Sequence, residues 1–562
     1  MGYFECRRIL KIYLYIIMNP VNFLVLKYVK ENKSLVTISL FLSALAFTTD
    51  LIIAPYALSK LTSNIVKKKF KNINKYIYFA IIIYFSRIVI NYMFKKTEEN
   101  ILANLIEKTR NYLYEKLIRK YSDNFTDVKV GDSYTRIHRT TLDMRDVIKI
   151  FITQVFPLFF VNVIIAIIFF SLEKKTGIVF IIAIILTLLL IKYWGPIIIK
   201  NRIETENLLF KQQDNANDTL LNLMNVYINN QEKQETNKLK KDQLEYKDSY
   251  LLGKNNQIIF GTSLSVVAIL STFFVLILMV KIVKNNKLTT DQIIYMMFLI
   301  TFYLRNTFKL SRQIPYMYHY IGTTYTLTDF FNNIINYKNN NNKKLIQSGN
   351  ISFKNIYFQY DSNSQVIKNL NLNIKNKEKI AIIGRSGSGK STIMKLLIKL
   401  YPYKGTISID NVNIKDIDTK YLREKILYIN QKTGLHDDTI INNIKYGNDV
   451  TDTEIINYLK KYDLEIIFSS LNKGIYSNAG VNGNNLSLGM QKIILILRGL
   501  FKSKNAIAII FDEPLAGLDI NTRKKVMNIL KDIKNKTIII ISHNKEILPF
   551  VDRTIDINKI NK

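Results

Sequence analysis

The sequence predicts an all-α polytopic membrane domain, with six transmembrane helices and long cytosolic extensions, followed by a soluble α/β domain. Two observations lead to this fold class. Apolar runs crowd into the first 312 residues of the 562-residue chain, and several of them are hydrophobic on every face. After residue 350 the pattern changes to short β runs that alternate with helices, which is typical of an α/β fold.

Six apolar runs approach the length of about 20 residues that a hydrocarbon core of about 30 Å requires. Buried helices of a soluble protein are the alternative, but six such runs in one half of the chain do not fit it. The predicted spans are Leu35–Leu58, Tyr76–Phe94, Phe151–Leu172, Gly177–Ile199, Gln257–Val283 and Gln292–Arg312. Residues 1–34 are predicted to be a cytosolic or interfacial segment. Its short run Ile9–Met18 favours an amphipathic surface helix over a weak targeting signal.

The connections between the spans indicate how the membrane domain is built. They run 17, 56, 4, 57 and 8 residues, so both long connections fall on the side that holds the two termini. The long connections carry apolar residues at three- and four-residue steps, which indicates helix. Half of such a connection reaches about 40 Å as helix. We expect two helical hairpins that extend into the cytosol, or a matrix, with tips able to contact a soluble partner.

The net charge of +35 could indicate a nucleic-acid partner or an anionic membrane surface. Lys, Asn and Ile are frequent throughout the chain, as in the tract Asn339–Asn342. We therefore attribute the charge to composition and expect no nucleic-acid partner. Cys6 is the only cysteine, which excludes a disulfide framework and a cysteine metal cluster.

Ionisable side chains inside membrane spans are costly and often functional. The candidates are Asp50, Arg87 and Arg305, accompanied by the polar Asn91, Asn162 and Asn306. Pairing between helices, for example of Asp50 with Arg87, is the simplest interpretation. If some of these residues line a cavity, the cationic ones favour an anionic or amphiphilic cargo.

A polar linker, residues 336–350, precedes a glycine loop. The stretch KIAIIGRSGSGKSTIMKLLIKL indicates a buried strand, a loop and a helix, and it matches the pattern GxxxxGK[ST]. In this pattern backbone N–H groups and a helix N-terminus bind phosphate. Lys390 is predicted to reach the β- and γ-phosphates of ATP, and the Ser391 hydroxyl to ligate Mg2+. The predicted nucleotide-binding residues here are Gly384, Arg385, Ser386, Gly387, Ser388, Gly389, Lys390, Ser391 and Thr392.

Two further β runs end in residues suited to phosphate chemistry. The run AIAIIFDEP ends in Asp512 and Glu513. We expect Asp512 to hold Mg2+, usually through water, and Glu513 to polarise an attacking water. The run KTIIIISHN ends in His543, which is placed to bond the γ-phosphate and to orient that water.

In order and spacing these motifs resemble the nucleotide-binding domain of an ABC transporter over residues 351–562. The resemblance implies that Tyr360 stacks on adenine. It also implies that Gln431 is a Q-loop glutamine that reaches the metal and the water, and that Asp519 belongs to the D-loop. With the six spans, the chain resembles an exporter-type half-transporter. Its predicted fold is then an ABC exporter-type transmembrane domain at 35–335, followed by an α/β P-loop ABC ATPase domain.

The stretch NNLSLGMQK resembles the ABC signature LSGGQ with two positions changed. In the family this loop faces the ATP held by the other subunit. The resemblance implies that the Ser487 hydroxyl and the Gly489 N–H contact the γ-phosphate. Leu488 replaces a glycine, at an expected cost of about 1 kcal/mol if its φ is unfavourable. Met490 replaces a glutamine, and Ile493 stands where an arginine is common.

Because such a site is shared between two chains, we expect a second half-transporter subunit. A homodimer with two working sites is favoured, since the residues that touch phosphate are retained. The alternative is a heterodimer in which the altered signature faces a non-hydrolytic site.

The expected function is export across a lipid bilayer, driven by ATP binding and hydrolysis. A second possibility is an ATP-gated or regulatory membrane protein with little turnover, against which the retained Glu513 argues. An importer fits less well, because the spans and the ATPase are fused in one chain with long cytosolic hairpins, and the six spans exclude a soluble DNA-repair-type ATPase. Lipids, peptides, xenobiotics and thiol conjugates stay open as cargo. The membrane of this multi-pass protein, plasma membrane or an organelle such as a mitochondrion-derived one, stays open as well.

Overall fold

The structure is a computed structural model. It describes residues 20–68, 73–123, 125, 130–285, 288–326, 344–360, 365–385, 387–430 and 433–560. The predicted surface helix at Ile9–Met18, and the residues Cys6, Ser386 and Gln431, lie outside the described residues. So does most of the predicted linker, and the predicted domain boundaries therefore stay predictions.

The chain divides into two compact units. The first comprises Met1–Leu117 and Lys129–Tyr337, and the second comprises Ile118–Val128 and Lys338–Lys562. The short segment Ile118–Val128 groups with the second unit because its backbone bonds there. The N–H of Phe125 donates to the Leu400 carbonyl at 2.7 Å.

The first unit is all-α. Its helices are Pro20–Glu31, Lys33–Thr48, Ala54–Val66, Ile73–Asp123, Val130–Ile150, Phe156–Leu172, Lys174–Leu221, Leu223–Ile228, Glu232–Lys284 and Thr290–Tyr325. Two five-residue π-helical turns, Thr49–Ile53 and Phe151–Val155, join helices into longer rods. Each turn is followed by a helix with a proline in its first two positions. Because proline has no N–H to donate, the ladder of backbone hydrogen bonds has to shift there, and a π turn absorbs the shift.

Among the residues that the structure describes, five helical stretches are long and apolar enough to cross a membrane, judged by length and composition. They are Lys33–Val66, Ile73–Arg119, Tyr134–Leu172, Lys174–Leu221 and Glu232–Lys284, and they contain the first five predicted spans. The sixth predicted span lies in the helix Thr290–Tyr325, which falls short of the same criterion. Asp291 at its start and Arg305, Lys309 and Arg312 in its interior lower its mean hydropathy.

The long connections are helical, as the sequence predicts. The helices Lys174–Leu221 and Glu232–Lys284 both run far beyond their apolar parts, and their polar parts bond to each other. The Asn215 side-chain amide donates to the Asp242 carboxylate at 2.6 Å, and the hydroxyls of Thr205 and Ser249 lie 2.8 Å apart. The predicted pairing within the spans is also confirmed, since Arg87 Nη1 lies 3.1 Å from Asp50 Oδ1.

The second unit is α/β. Its strands are β1 Ile351–Gln359, β2 Gln365–Ile374, β3 Lys379–Ile383, β4 Lys404–Ile409, β5 Val412–Asn413, β6 Ile426–Ile429, β7 Ala508–Asp512, β8 Thr537–Ile541 and β9 Arg553–Asp556. Its helices are Lys390–Leu397, Thr419–Lys425, Ile440–Lys445, Asp452–Lys461, Glu465–Phe468, Leu488–Lys502, Ile520–Asp532 and Ile557–Ile560. Five strands form a parallel sheet in the order β6–β7–β8–β3–β9, and four form an antiparallel sheet in the order β2–β1–β4–β5.

The composition of the central strands explains the parallel sheet. Every residue of β7 and of β8 is buried. Continuous apolar runs of this kind fit a sheet that is covered on both faces, as parallel sheets are. Since β3, β7 and β8 are neighbours and run in the same direction, their carboxyl ends meet at one edge of the sheet.

Asp410, in the turn between β4 and β5, holds the chain that enters β1. Its carboxylate accepts the backbone N–H groups of Gln347, Ser348, Gly349 and Asn350 at 2.8–2.9 Å, and the Ser348 hydroxyl at 2.6 Å. Desolvation by burial raises the pKa of this carboxyl, but the hydrogen bonds from Ser348, Gly349 and Asn350 outweigh it and place the pKa well below its usual range.

We predict that Asp410→Asn lowers the midpoint of thermal unfolding of the α/β unit by about 4 °C at pH 7, because the amide retains a single acceptor oxygen. The folded-state pKa of Asp410 is lowered, so its stabilisation is fully present above the unfolded-state pKa of about 4. It is lost as the pH falls through the folded-state pKa. Scanning calorimetry of the full chain should therefore show the difference between parent and variant shrinking below about pH 4.

Asp416→Asn is the matched control. Asp416 makes one ion pair, with Lys344 at 3.2 Å, and that pair is largely exposed, so its loss should shift the midpoint little. Equal shifts for the two variants would contradict the assignment of the stabilisation to the Asp410 network.

Candidate nucleotide-binding site

The glycine loop lies between β3 and the helix Lys390–Leu397, at the carboxyl edge of the parallel sheet. Gly387 and Gly389 have φ values of 78° and 89°, a left-handed conformation that a side chain would strain. A Cβ added at Gly387 would meet no atom within 4 Å, so the space beside it is open. The Ser388 hydroxyl is buried and has no hydrogen-bond partner among the described residues. The open space beside Gly387, the left-handed backbone of the loop and the unpartnered Ser388 hydroxyl together suit the binding of a phosphate group.

Lys390, the first residue of the helix that follows this loop, is 6% exposed. Its ammonium donates to the carbonyls of Gly384 and Arg385 at 3.0 and 2.9 Å. Burial lowers the pKa of Lys390, and the nearby carboxylates of Glu513 and Asp512 oppose that shift. The positively charged Lys390 side chain is therefore held against the glycine loop by two backbone carbonyls.

The Asp512 carboxylate, at the end of β7, joins the loop to the sheet. The Ser391 hydroxyl donates to Asp512 Oδ1 at 3.0 Å, and the Tyr428 hydroxyl donates to Oδ2 at 2.5 Å. Burial, and then the charge of Asp512, raise the pKa of Tyr428, so the phenol stays a donor. Tyr428 was not predicted from the sequence. The available signal was a phenol within the otherwise aliphatic strand β6.

Glu513 follows β7 in an uncommon backbone conformation. Its φ is 52°, which strains a residue with a side chain. The neighbouring strand helps to hold it, since the Glu513 N–H donates to the Ile541 carbonyl at 2.9 Å. His543 follows β8, and its Nε2 lies 3.5 Å from Glu513 Oε1. The structure thus brings together two side chains that are 30 residues apart in the chain.

Lys492 supports Glu513 from the helix Leu488–Lys502. Its ammonium donates to the Glu513 carbonyl at 3.3 Å and to the Ala516 carbonyl. Burial lowers the pKa of Lys492, against an opposing effect of Glu513. Lys492 was not predicted from the sequence either, although it is a charged residue that directly precedes the apolar run Ile493–Leu497.

Ser487 caps the same helix, and its hydroxyl accepts the Met490 N–H at 3.3 Å. Leu488 is the first helical residue and does not have a positive φ, so the backbone cost considered for it does not arise. Its side chain is 72% exposed, whereas Ile493 is buried in the core and Met490 packs against it. Within the described residues, Ser487 and Gly489 make no hydrogen bond to the glycine loop of their own chain.

Tyr360 lies at the end of β1 and is 48% exposed. Its hydroxyl and that of Thr392 are 2.9 Å apart, so the ring is tied to the helix that follows the glycine loop. The rings of Phe358 and Tyr401 pack against it nearly at right angles, at ring-centroid distances of 4.8 and 5.3 Å. An aromatic ring that is held in place and partly open is suited to stacking on a base.

Comparison with known proteins identifies both units. Residues 36–308 match the family of the ABC transporter transmembrane region, and residues 367–516 match the ABC transporter family. A putative export ATP-binding/permease protein of Rickettsia felis is 30% identical over 483 residues, which cover 82% of this chain and 81% of that protein. The multidrug resistance-like ATP-binding protein MdlB of Buchnera aphidicola is 38% identical over 209 residues. That match covers 37% of this chain and about a third (36%) of the relative.

The fold also matches a solved structure. A bacterial Atm1-family ABC exporter with ATP bound has a TM-score of 0.81 at 20% identity, over 93% of this chain and 94% of that one. The predicted order of a helical membrane domain and an α/β ATPase domain is therefore confirmed. ABC half-transporters generally dimerise and sit in a lipid bilayer. This multi-pass membrane protein, with one membrane domain and one ATP-binding domain, belongs to the ABC transporter family as an exporter-type half-transporter.

Proposed function

We propose that this chain forms a homodimeric exporter that hydrolyses ATP at two shared sites. The supporting observation is the meeting of Lys390, Ser391, Asp512, Glu513 and His543 at one edge of the parallel sheet. A phosphate-binding loop, a metal-binding carboxylate and a candidate general base are the parts that ATP hydrolysis requires. A regulatory protein that only binds ATP would not need the base.

We assign the role of general base to Glu513. Its side chain is largely buried and lies beside His543, so an attacking water between substrate and carboxylate can lose its proton to Glu513. His543 is about half exposed, and its ring is available to donate to phosphate and to orient that water. Lys390 is assigned to the phosphates, and Tyr360 to the adenine.

The residues present fit Mg2+. Ser391 and Asp512 place a hydroxyl and a carboxylate 3.0 Å apart, and these are hard oxygen donors of the type that Mg2+ binds. Among the described residues, no group of three or more His, Cys, Asp or Glu side chains could hold a metal by itself. We therefore propose that Mg2+ binds together with the nucleotide, whose phosphates supply further oxygen ligands.

We assign the signature segment, Leu486–Met490, to contact with the nucleotide that a second chain binds. The N-terminus of the helix Leu488–Lys502 carries a partial positive charge, and the Ser487 hydroxyl lies at that end. Since neither Ser487 nor Gly489 bonds to the glycine loop of its own chain in the described part, they suit the nucleotide of a partner. Leu488 favours the second candidate, a heterodimer, because this exposed apolar side chain stands where a partner's nucleotide would approach.

The first prediction here concerns the general base. Glu513→Gln should retain ATP binding and reduce turnover about 100-fold or more, since the amide cannot accept the proton. The variant should also accumulate a closed, ATP-bound dimer. Both effects are measured on the purified chain in lipid, by phosphate release and by nucleotide binding.

Two further variants are measured in the same two assays. Lys390→Ala should lose nucleotide binding and turnover together, because it removes the cation of the loop. Glu546→Gln, a substitution on the exposed surface, should leave both unchanged. Turnover close to the parent rate in Glu513→Gln would exclude Glu513 as the base, and in Lys390→Ala it would exclude the glycine loop as the site.

A second prediction concerns Lys492 as a positioning residue. Lys492→Met should lower kcat about tenfold and leave the KM for ATP nearly unchanged, because the strained Glu513 loses a hydrogen bond to its carbonyl while the phosphate loop is intact. Lys492→Gln, which retains a donor, should recover part of the rate. The measurement is steady-state ATP turnover across a range of ATP concentrations.

Lys502→Met is the control for this pair, since Lys502 is exposed at the far end of the same helix. It should leave kcat and KM unchanged. A rise in KM for Lys492→Met with unchanged kcat would contradict the positioning role.

A third prediction separates homodimer from heterodimer. Ser487→Arg places bulk and charge where the partner's γ-phosphate is expected. In a homodimer it should stop turnover, whereas restoring Leu488→Gly with Met490→Gln should leave turnover equal or higher. In a heterodimer the parent chain alone should hydrolyse ATP poorly, and Ser487→Arg should spare the assembled pair. Turnover of Ser487→Arg, alone and in any assembly that co-purifies, decides between them.

A further inference from the structure

The membrane unit contains a cavity of about 660 Å³ between its helices. Its lining includes a group of charged and polar side chains together with apolar ones such as Phe47 and Leu158. The charged and polar side chains include Asp50, Arg87, Arg305, Asn306, Lys309 and Arg312. All of these residues belong to the first compact unit.

The charges of this cavity do not balance. Asp50 is paired with Arg87 at 3.1 Å. The guanidinium of Arg305 lies 4.8 Å from the ring centre of Phe302, and the ammonium of Lys309 lies 5.9 Å from that of Phe47. Within the described part of the chain, Arg305, Lys309 and Arg312 form no ion pair. Three positive charges are thus left without a carboxylate partner.

A second copy of the chain cannot supply the missing carboxylates from its spans. Asp50 is the only acidic residue in the six predicted spans, which also contain Arg87, Lys192, Lys281, Arg305, Lys309 and Arg312. Asp291, just before the sixth span, is already taken by Lys60 and Lys67. In a homodimer the excess of positive charge would double.

Exposure to lipid does not explain these cations either. A charge in hydrocarbon is costly and is found facing water or a partner charge. Arg305 and Lys309 lie four residues apart and therefore share one face of the helix Thr290–Tyr325. That face has to line a polar space, which in an exporter is the path of the cargo.

A buried side-chain amide also lines this cavity. Asn306 lines it and is 3% exposed, and its side-chain nitrogen has no hydrogen-bond partner among the described residues. A buried amide without a partner is unfavourable unless a ligand or water satisfies it. A donor beside three cations fits an anion better than any other ligand.

We propose that this cavity is the cargo site, and that it binds an amphiphilic organic anion with a phosphate or similarly charged head group. Arg305, Lys309 and Arg312 neutralise the head group, Asn306 donates to it, and the aromatic and aliphatic lining receives the apolar part. The inference rests on the proposed export function. The same chemistry occurs in an acidic phospholipid and in a soluble conjugate, which the experiment separates.

The test uses the full chain in nanodiscs of phosphatidylcholine, without nucleotide. The probes are 1-naphthyl phosphate, neutral 1-naphthol and cationic 1-naphthylmethylammonium, read by fluorescence against empty nanodiscs. The phosphate should bind at least about tenfold more tightly than the other two, and added salt should weaken it. The double variant Arg305→Gln with Lys309→Gln should weaken it by about tenfold or more.

Lys192→Gln and Lys281→Gln are matched controls, because both remove a cation from a span and neither residue lines the cavity. They should bind 1-naphthyl phosphate as the parent does. Equal binding of the three probes, or equal effects of the double variant and the controls, would overturn the proposal. If the double variant does not assemble, Lys309→Gln and Arg312→Gln are measured singly. Loss of the dimer with parent-like binding of the phosphate would also overturn it, since the cations would then hold the partner.

Two arms separate the sources of the anion. Nanodiscs that contain phosphatidic acid should compete with 1-naphthyl phosphate and stimulate ATP turnover if the cargo is a lipid. A soluble cargo predicts competition by added 1-naphthyl sulfate and no effect of phosphatidic acid. Basal ATP turnover, measured separately without anion, distinguishes failure of the proposed function from failure of the proposed cargo site. A chain that binds the phosphate selectively but hydrolyses no ATP contradicts the proposed function, and an active chain without selectivity contradicts the cargo site.

Discussion

The parallel alignment of β3, β7 and β8 is the constraint on which the nucleotide site depends. These strands are apolar and buried at nearly every position, as in a parallel sheet that is covered on both faces. Parallel neighbours end at one edge, so the residues that follow them are delivered to the same place. Lys390, Asp512 and His543 come from three distant parts of the chain, and this one arrangement of strands brings them together.

The same edge holds backbone strain at Glu513, the residue that we propose as the general base. Glu513 is held at a positive φ by the N–H bond to β8 and by the ammonium of Lys492. Strained residues persist where the surroundings hold them in place, and they cluster at active sites. The second turn of the signature helix supports the Glu513 of its own chain through Lys492, and we propose that the N-terminus of the same helix offers Ser487 to a partner.

The membrane unit follows a different rule, because charge is scarce there and its placement is informative. The single carboxylate in the predicted spans is satisfied by Arg87. The helix that carries Arg305, Lys309 and Arg312 is less apolar than the five described stretches that are long and apolar enough to cross a membrane. The low hydropathy of this helix and the excess of positive charge in the cavity have the same cause, namely the cations on one face of the helix. A protein that moves charged cargo needs such a face.

The sequence by itself determined the two-part fold, the long helical connections and the family, because apolar length, helical periodicity and glycine spacing are local properties. It also placed most of the candidate nucleotide site, since each residue directly follows a β run. Only the tertiary structure decided that Tyr428 bonds to Asp512, that Lys492 supports Glu513, and that three span cations share a cavity with Asn306. These contacts join residues on different elements, or depend on how a helix is rotated in its packing. Neither is set by spacing along the chain.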